Sequence, residues 1–339
     1  MRVARVDLGG VVLWTGDACT VLALLPDTSI DCVVTSPPYW GLRDYGVADQ
    51  YGREDTLEDY VNHLRAVFAE LRRVLKPAGT VWLNLGDSYS ARRSGSPGRT
   101  CRIGRTAAEQ ATARRDAQIA RKNLLGVPWR VALALQDDGW ILRSEIIWHK
   151  PNGMPESVHD QPARKHEHLF LLTKNPRYYF DLDAIRRPYT GDRPISRRAR
   201  RGGTRPHSIS TAWPTEHARA QAVPLGHTPQ AINRHGRHDG AHANGANPGT
   251  VWSLPARPCR HHHYAAFPID IPLRAIATGC PPGGVVLDPF SGSGTTLLAA
   301  RRLGREAIGI DLNPAFQLIA QRRLAEDTAA QLNGPAGAP

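Results

Sequence analysis

The run Val285-Val286-Leu287-Asp288 constrains this chain more than any other stretch. Three β-prone residues stop at an acid, and Pro289-Phe290-Ser291-Gly292-Ser293-Gly294 follows. Thr295-Thr296 then opens an apolar, helix-prone segment to Leu303, stopped by Gly304. A further apolar run, residues 307–310, ends at a second acid, Asp311. Such a strand-turn-helix-strand unit belongs in an α/β sheet, which presents its chemistry at the carboxyl ends of its strands.

Gly292 and Gly294 allow a ligand to approach the backbone closely. An acid closing the second strand can accept hydrogen bonds from both hydroxyls of a ribose, and the 23 positions from Asp288 to Asp311 are near the roughly 20 expected. Three ligands could use this unit. A dinucleotide favours a third glycine, where Leu297 stands, and a nucleoside triphosphate favours a lysine after the glycines, where Thr295-Thr296 stands. S-adenosylmethionine needs neither, and Asp288 suits a cationic, amine-bearing molecule. The balance favours S-adenosylmethionine over those two and over a simple strand-helix turn.

A second stretch is built alike. Asp31-Cys32-Val33-Val34-Thr35 breaks into Ser36-Pro37-Pro38-Tyr39-Trp40. The two prolines fix the backbone, holding a hydroxyl and carbonyls in place, and an aromatic side chain follows. Methylating an exocyclic amine of a base is awkward because the nitrogen lone pair is delocalised into the ring. Fixed oxygens that accept hydrogen bonds from the NH2 group direct that lone pair and stabilise charge as it develops. A tyrosine beside them could stack on a base drawn out of the duplex.

These two motifs identify a resemblance. Ser36-Pro37-Pro38-Tyr39 resembles motif IV of amino-directed DNA methyltransferases, and Asp288 to Thr296 resembles their S-adenosylmethionine motif I. Motif IV preceding motif I is similar to the beta group, which includes N4-cytosine and N6-adenine enzymes. His263-Tyr264-Ala265-Ala266-Phe267-Pro268 resembles motif X, and Gly16-Asp17 matches the position that usually contacts the cofactor's adenine. The resemblance covers residues 12–90, 125–183 and 250–325.

It implies that Ser36 and the Pro37 carbonyl grip the target amine, with Pro38 holding the loop and Tyr39 packing on the flipped base. It also implies a cofactor site of Asp17, Thr35, Asp288, Pro289, Phe290, Ser291, Gly292, Ser293, Gly294, Thr295, Thr296, Asp311 and Asn313. Trp40 either lines the pocket or wedges the loop, and Asp44 and Asp87 read as turn residues near the site. Serine at position 36 is typical of N4-cytosine enzymes, whereas N6-adenine enzymes most often carry aspartate there. Cytosine N4 is therefore the expected target, N6-adenine is the alternative, and an inactive DNA-binding protein of the same fold is a third reading. RNA or protein amines remain further substrates to compare.

The resemblance, together with the pattern of the rest of the chain, implies a Rossmann-like, doubly wound, mostly parallel seven-stranded α/β sheet of the methyltransferase type, with circularly permuted motif order and basic insertions. Strands are expected at 11–14, 30–35, 80–85, 141–148, 168–173, 285–288 and 307–310. A short helix and turn are expected at 18–28. Thr56 and Asp59 form a capping-box pattern before a helix striped by Leu57, Val61, Leu64, Phe68, Leu71 and Leu75, which Lys76-Pro77-Ala78-Gly79 stops. Further helices are expected at 127–137, 271–278 and 295–303, and the last opens at Asn313-Pro314.

The chain thereby divides into a catalytic half at 1–90, a basic insertion at 91–124, and the rest of the catalytic half at 125–185. A basic target-recognition region at 186–250, a cofactor half at 251–330 and a flexible tail at 331–339 complete it. The formal charge of +12 points to a polyanionic partner. The basic excursions, above all Arg197, Arg198, Arg200 and Arg201, are expected to contact double-stranded DNA. A homodimer and a cognate restriction endonuclease are further partners compatible with this class. Five scattered cysteines give no disulfide framework, and Cys259 with His261, His262 and His263 lacks a second pair at zinc spacing, so no metal is expected. With no secretion signal and no segment near the roughly 20 apolar residues of a membrane span, a cytoplasmic location is expected.

Overall fold

A computed structural model describes residues 3–90, 119–120, 122–153, 158–188, 244–257 and 267–333. The chain falls into two units, one of residues 1–180 and 250–339 and one of residues 181–249. In the second, among the described residues, a single 3-10 turn (Asp183–Ile185) is tied by Arg186 to Asp183, and Arg187 bridges to Ala246. Arg197, Arg198, Arg200 and Arg201, most of the 91–124 insertion, His263 to Ala266 and the end of the tail lie outside the described residues.

The first unit is built on one sheet. Its strands are β1 (Ala4–Asp7), β2 (Val11–Thr15), β3 (Ile30–Thr35), β4 (Leu75–Leu85), β5 (Ile141–His149), β6 (His166–Thr173), β7 (Val251–Ser253), β8 (Val285–Asp288) and β9 (Glu306–Asp311). Its spatial order is β1-β2-β9-β8-β3-β4-β6-β5-β7. The seven expected strands form the middle, and a short strand is added at each edge. β2, β9, β8, β3 and β4 run parallel, whereas β6 is antiparallel to both β4 and β5. The edge strands escaped the sequence reading for a physical reason: all four residues of β1 are exposed, and β7 has only three residues.

The helices are α1 (Ala18–Leu22), α2 (Leu57–Val74), α3 (Val127–Asp137), α4 (Asp270–Gly279), α5 (Thr295–Arg302) and α6 (Pro314–Asn333). β4 shows how they flank the sheet, because alternate residues of a strand face opposite ways. Val81, Leu83 and Leu85 join the apolar core shared with α1, α2 and α3. Thr80 instead donates to the Gly279 carbonyl of α4 at 2.9 Å, and Trp82 packs on Trp252. Each face of the sheet is therefore covered, as a parallel sheet requires.

α2 begins as the sequence predicts. Thr56 Oγ1 accepts from the Asp59 amide at 3.0 Å and donates to the Asp59 carboxylate. Its end differs. Residues 76–79 are not a turn, and β4 starts at Leu75 without an intervening loop. The carbonyls of Leu75, Pro77 and Ala78 accept hydrogen bonds from Lys174, Asn175 and Tyr179, so this Pro-Gly segment is extended and paired from the side. The buried stripe also gains Tyr60 and Val67, while Val61 is only partly covered.

The contact between α4 and the sheet is tight. A Cβ placed on Gly279 would lie 2.5 Å from Trp82 Nε1 and nearer still to Thr80 Oγ1, both in the core. Gly279→Ala is expected to destabilise the protein by about 1–3 kcal/mol, read as a lower urea midpoint with an unchanged slope. An unchanged midpoint would show that the interface can yield.

Candidate active site at the strand switch point

β8 and β3 are parallel neighbours, and the chain leaves their carboxyl ends in opposite directions along the sheet. This is the topological switch point at which open α/β sheets bind ligands. The two motifs, distant in sequence, meet here directly. Thr35 Oγ1 donates to Asp288 Oδ1 at 2.7 Å.

Asp288 is only 3% exposed and holds its own loop. Its carboxylate also accepts from Thr296 Oγ1 at 2.6 Å and from the Phe290 amide at 3.1 Å. Burial outweighs these hydrogen bonds and pushes the carboxyl up to about 6. Asp311, at the end of β9, accepts from the Gly292 amide at 2.8 Å and the Asn313 amide at 2.7 Å, and burial likewise pushes it up to about 6. Gly294 sits at φ +78° as the cap of α5, where a Cβ would meet Ala320 at 2.9 Å. Arg323 of α6 donates to Ser293 and Thr295 from behind, so the turn is clamped between two helices.

A cleft opens in front of this turn. It is lined by Ser36 and Pro38 on one side and by Asp288, Pro289, Phe290, Ser291, Gly292 and Ser293 on the other. Thr295, Thr296, Asp311 and Asn313 complete the expected set along the wall. Thr35 and Gly294 support this wall without lining it. Asp17 is also set back: its carboxylate caps α1 through the Thr20 amide and hydroxyl and accepts from the Tyr51 hydroxyl at 3.1 Å. Tyr51, not Asp17, faces the cleft.

The sequence reading missed the rim. Tyr45, Gln50, Tyr51 and Phe316 line the cleft, together with Phe267 of the motif X segment. Gln50 fastens this loop by accepting from the Tyr45 amide and donating to the Arg43 carbonyl. The available signal was the density of aromatic residues, Tyr39, Trp40, Tyr45 and Tyr51, in a stretch with no period. Trp40 is the wedge, 3% exposed, with Nε1 donating to the Glu54 carbonyl. Asp44 pairs with Arg53 and caps its own turn at Gly46, and Asp87 accepts from the amides of Gly126 and Val127 at the start of α3.

On the Ser36 side the loop is equally fixed. The Pro38 carbonyl accepts from the buried Tyr60 hydroxyl at 2.9 Å. Tyr39 packs on Gly86, where a Cβ would lie 2.7 Å from its ring. Its hydroxyl donates to Glu167 Oε2 at 2.7 Å, and Asn84 Nδ2 donates to that hydroxyl at 2.8 Å. Burial first, then the Glu167 carboxylate, push the Tyr39 phenol well above its ordinary range. Burial also raises the thiols of Cys32 and Cys280, the latter up to about 12, which leaves them poor nucleophiles.

Comparison with known proteins agrees with this geometry. Residues 30–322 match the profile of the N6_N4_Mtase family, described as DNA methylase. The chain belongs to this DNA methylase family. The methylase is 40% identical over 326 residues to the Type II methyltransferase M.XycI of Xanthomonas campestris pv. cyanopsidis, covering 96% of this chain and 91% of the relative. It is 39% identical over 315 residues to the Type II methyltransferase M.SmaI of Serratia marcescens, covering 91% and 89%. Among solved structures, a protein of Thermus thermophilus in complex with S-adenosyl-L-methionine superposes with a TM-score of 0.53 at 25% identity over 92% of each chain. The PvuII DNA methyltransferase, described as cytosine-N4-specific, superposes with a TM-score of 0.58 at 17% identity, covering 97% of this chain and 94% of that one. This last likeness is one of fold.

The buried Asp288 gives a signed prediction. Its folded-state value near 6 lies above the ordinary 3.8, so the native state binds more protons between these limits and loses stability as pH rises through them. Wild-type stability relative to Asp288→Asn is therefore expected to fall by on the order of 3 kcal/mol between pH 4 and pH 7. Urea unfolding of both proteins across that range measures it, and parallel curves would contradict it.

Proposed function

We propose that this methylase transfers a methyl group from S-adenosylmethionine to the exocyclic N4 amine of a cytosine flipped out of double-stranded DNA. It does so at a specific sequence, as the modification partner in a restriction-modification system. The observation that carries this reading is the Ser36 hydroxyl, a neutral acceptor on the same cleft as Asp288 and Asp311.

The residues fit the donor. Aromatic side chains at Tyr45, Tyr51, Phe290 and Phe316 offer faces and edges for a purine, and Asp311 on the same wall can accept hydrogen bonds from ribose hydroxyls. The acidic wall favours a cation. When bound, S-adenosylmethionine supplies a methyl group activated by a sulfonium.

The protein's own residues do the rest. Ser36 and the Pro37 carbonyl accept hydrogen bonds from the amine, pulling its lone pair out of conjugation and toward the donor side of the cleft. Tyr39, braced by Gly86, offers its ring to the extruded base. Transfer is direct, without a covalent enzyme intermediate. The Type II methyltransferase relatives support a site-specific DNA substrate.

Mass spectrometry of nucleosides from unmodified bacterial DNA treated with the enzyme and donor is expected to reveal N4-methylcytosine. N6-methyladenine alone would overturn the cytosine assignment, and no methylated nucleoside would overturn the function. For the basic region, replacing Arg197, Arg198, Arg200 and Arg201 with glutamine is expected to weaken DNA binding. The log-log salt slope should become shallower by about 0.9 for each phosphate that the variant no longer neutralises. An unchanged slope would place the DNA-binding surface elsewhere.

A further inference from the structure

Behind Ser36 lies a chain of polar groups that the reaction described above does not use. Ser36 Oγ donates to Tyr39 Oη at 3.2 Å, and Tyr39 Oη donates to Glu167 Oε2 at 2.7 Å. The other carboxylate oxygen of Glu167 is ion-paired with Lys150. Asn84 Nδ2 donates to both Tyr39 Oη and Glu167 Oε2 at 2.8 Å, with a longer contact of 3.4 Å to Ser36 Oγ. Asn84 is 1% exposed, and its own Oδ1 has no partner among the described residues. The amide is thus turned to serve the carboxylate even though its oxygen stays unsatisfied.

The direction of the chain follows from donor rules. An ionised carboxylate only accepts, so Tyr39 must give its hydrogen to Glu167. The phenol oxygen then receives the hydrogens of Asn84 and Ser36. With its hydrogen committed to Tyr39, Ser36 is left with lone pairs for the cleft that it lines.

We propose that Glu167 is a positioning residue that polarises Ser36 as the acceptor for the target amine and then takes up the amine proton. This rests on the amino-methyl transfer proposed above and holds for either base. Once the amine nitrogen bears the new methyl group it carries a positive charge. One N–H bond breaks and its proton passes to Ser36 Oγ, the Ser36 proton passes to Tyr39 Oη, and the Tyr39 proton passes to Glu167 Oε2. The amine ends neutral, Ser36 and Tyr39 are unchanged, and Glu167 becomes a carboxylic acid that returns the proton to solvent.

The test uses the full chain with unmodified bacterial DNA and labelled S-adenosylmethionine. E167Q keeps the shape of the side chain, but Lys150 would hold its amide oxygen and turn the NH2 group toward Tyr39. Tyr39 would then donate to Ser36 and occupy the lone pair the amine needs. Y39F removes the hydroxyl and keeps the ring. Each variant is expected to lower kcat about tenfold or more while KM for DNA and for the donor stays within about twofold. The double variant should be no slower than the slower single one, because both break the same chain.

Wild-type kcat in both single variants, a rise in KM without a fall in kcat, or fully additive losses would each overturn the relay. If E167Q does not fold, Y39F alone decides by the same split between kcat and KM. Methyl transfer by the wild type with unaffected variants defeats only the relay, whereas no transfer to DNA by the wild type defeats the functional reading with it.

Discussion

The hydrogen bond from Thr35 to Asp288 is the interaction on which the rest of the site depends. It joins the ends of two parallel strands that the chain reaches more than two hundred residues apart. A carboxylate buried to 3% exposure is unfavourable without compensation, and here two hydroxyls and an amide provide it. The compensation is incomplete, as the raised pKa shows. The same three donors fix the loops that carry Ser36 and Phe290 and the first turn of α5, so a costly charge is retained at the point where two halves of a site must keep their register.

Around this joint the sheet supplies direction. Strand alternation sends Val81, Leu83 and Leu85 into the core beneath α2 and leaves Thr80, Trp82 and Asn84 on the other face. β6 runs antiparallel between β4 and β5, so its first residues, not its last, arrive at the carboxyl end of the parallel strands. Asn84 pairs with Leu169, which puts Glu167 two residues further toward the site and on the same face. One reversed strand thereby delivers a carboxylate behind Ser36 that no parallel strand could deliver from its amino end.

That reversal explains much of what could and could not be read from the sequence. Ile30–Thr35, Val285–Asp288 and Val127–Asp137 were legible to the residue, because buried parallel strands and capped helices carry strong local patterns. The expected cofactor wall was legible through its glycines and acids, and most of it does line one cleft. Glu167 was invisible because its role comes from strand direction, a tertiary property, and nothing near it marks a site. Tyr45 and Tyr51 were missed because their positions depend on Gln50, Asn313 and Asp17, which lie outside any periodic pattern. Asp17, expected at the cofactor, accepts hydrogen bonds from a helix cap and from Tyr51.

The geometry also narrows the three ligands that the glycine-rich turn left open. A phosphate-binding turn works by offering unpaired amides to an anion. Here the Phe290 amide is given to Asp288, the Ser291 amide to the Ile310 carbonyl, the Gly292 amide to Asp311 and the Gly294 amide to the Ser291 carbonyl. The turn has spent these donors internally and faces the cleft with two carboxylates. A pyrophosphate would meet negative charge where it needs hydrogen bonds, whereas a ligand bearing an ammonium, a sulfonium and ribose hydroxyls would meet acceptors. The glycines therefore serve close packing, of Gly294 against Ala320 and of the turn against its own acids, and the selectivity for a cation comes from how the amides are already used.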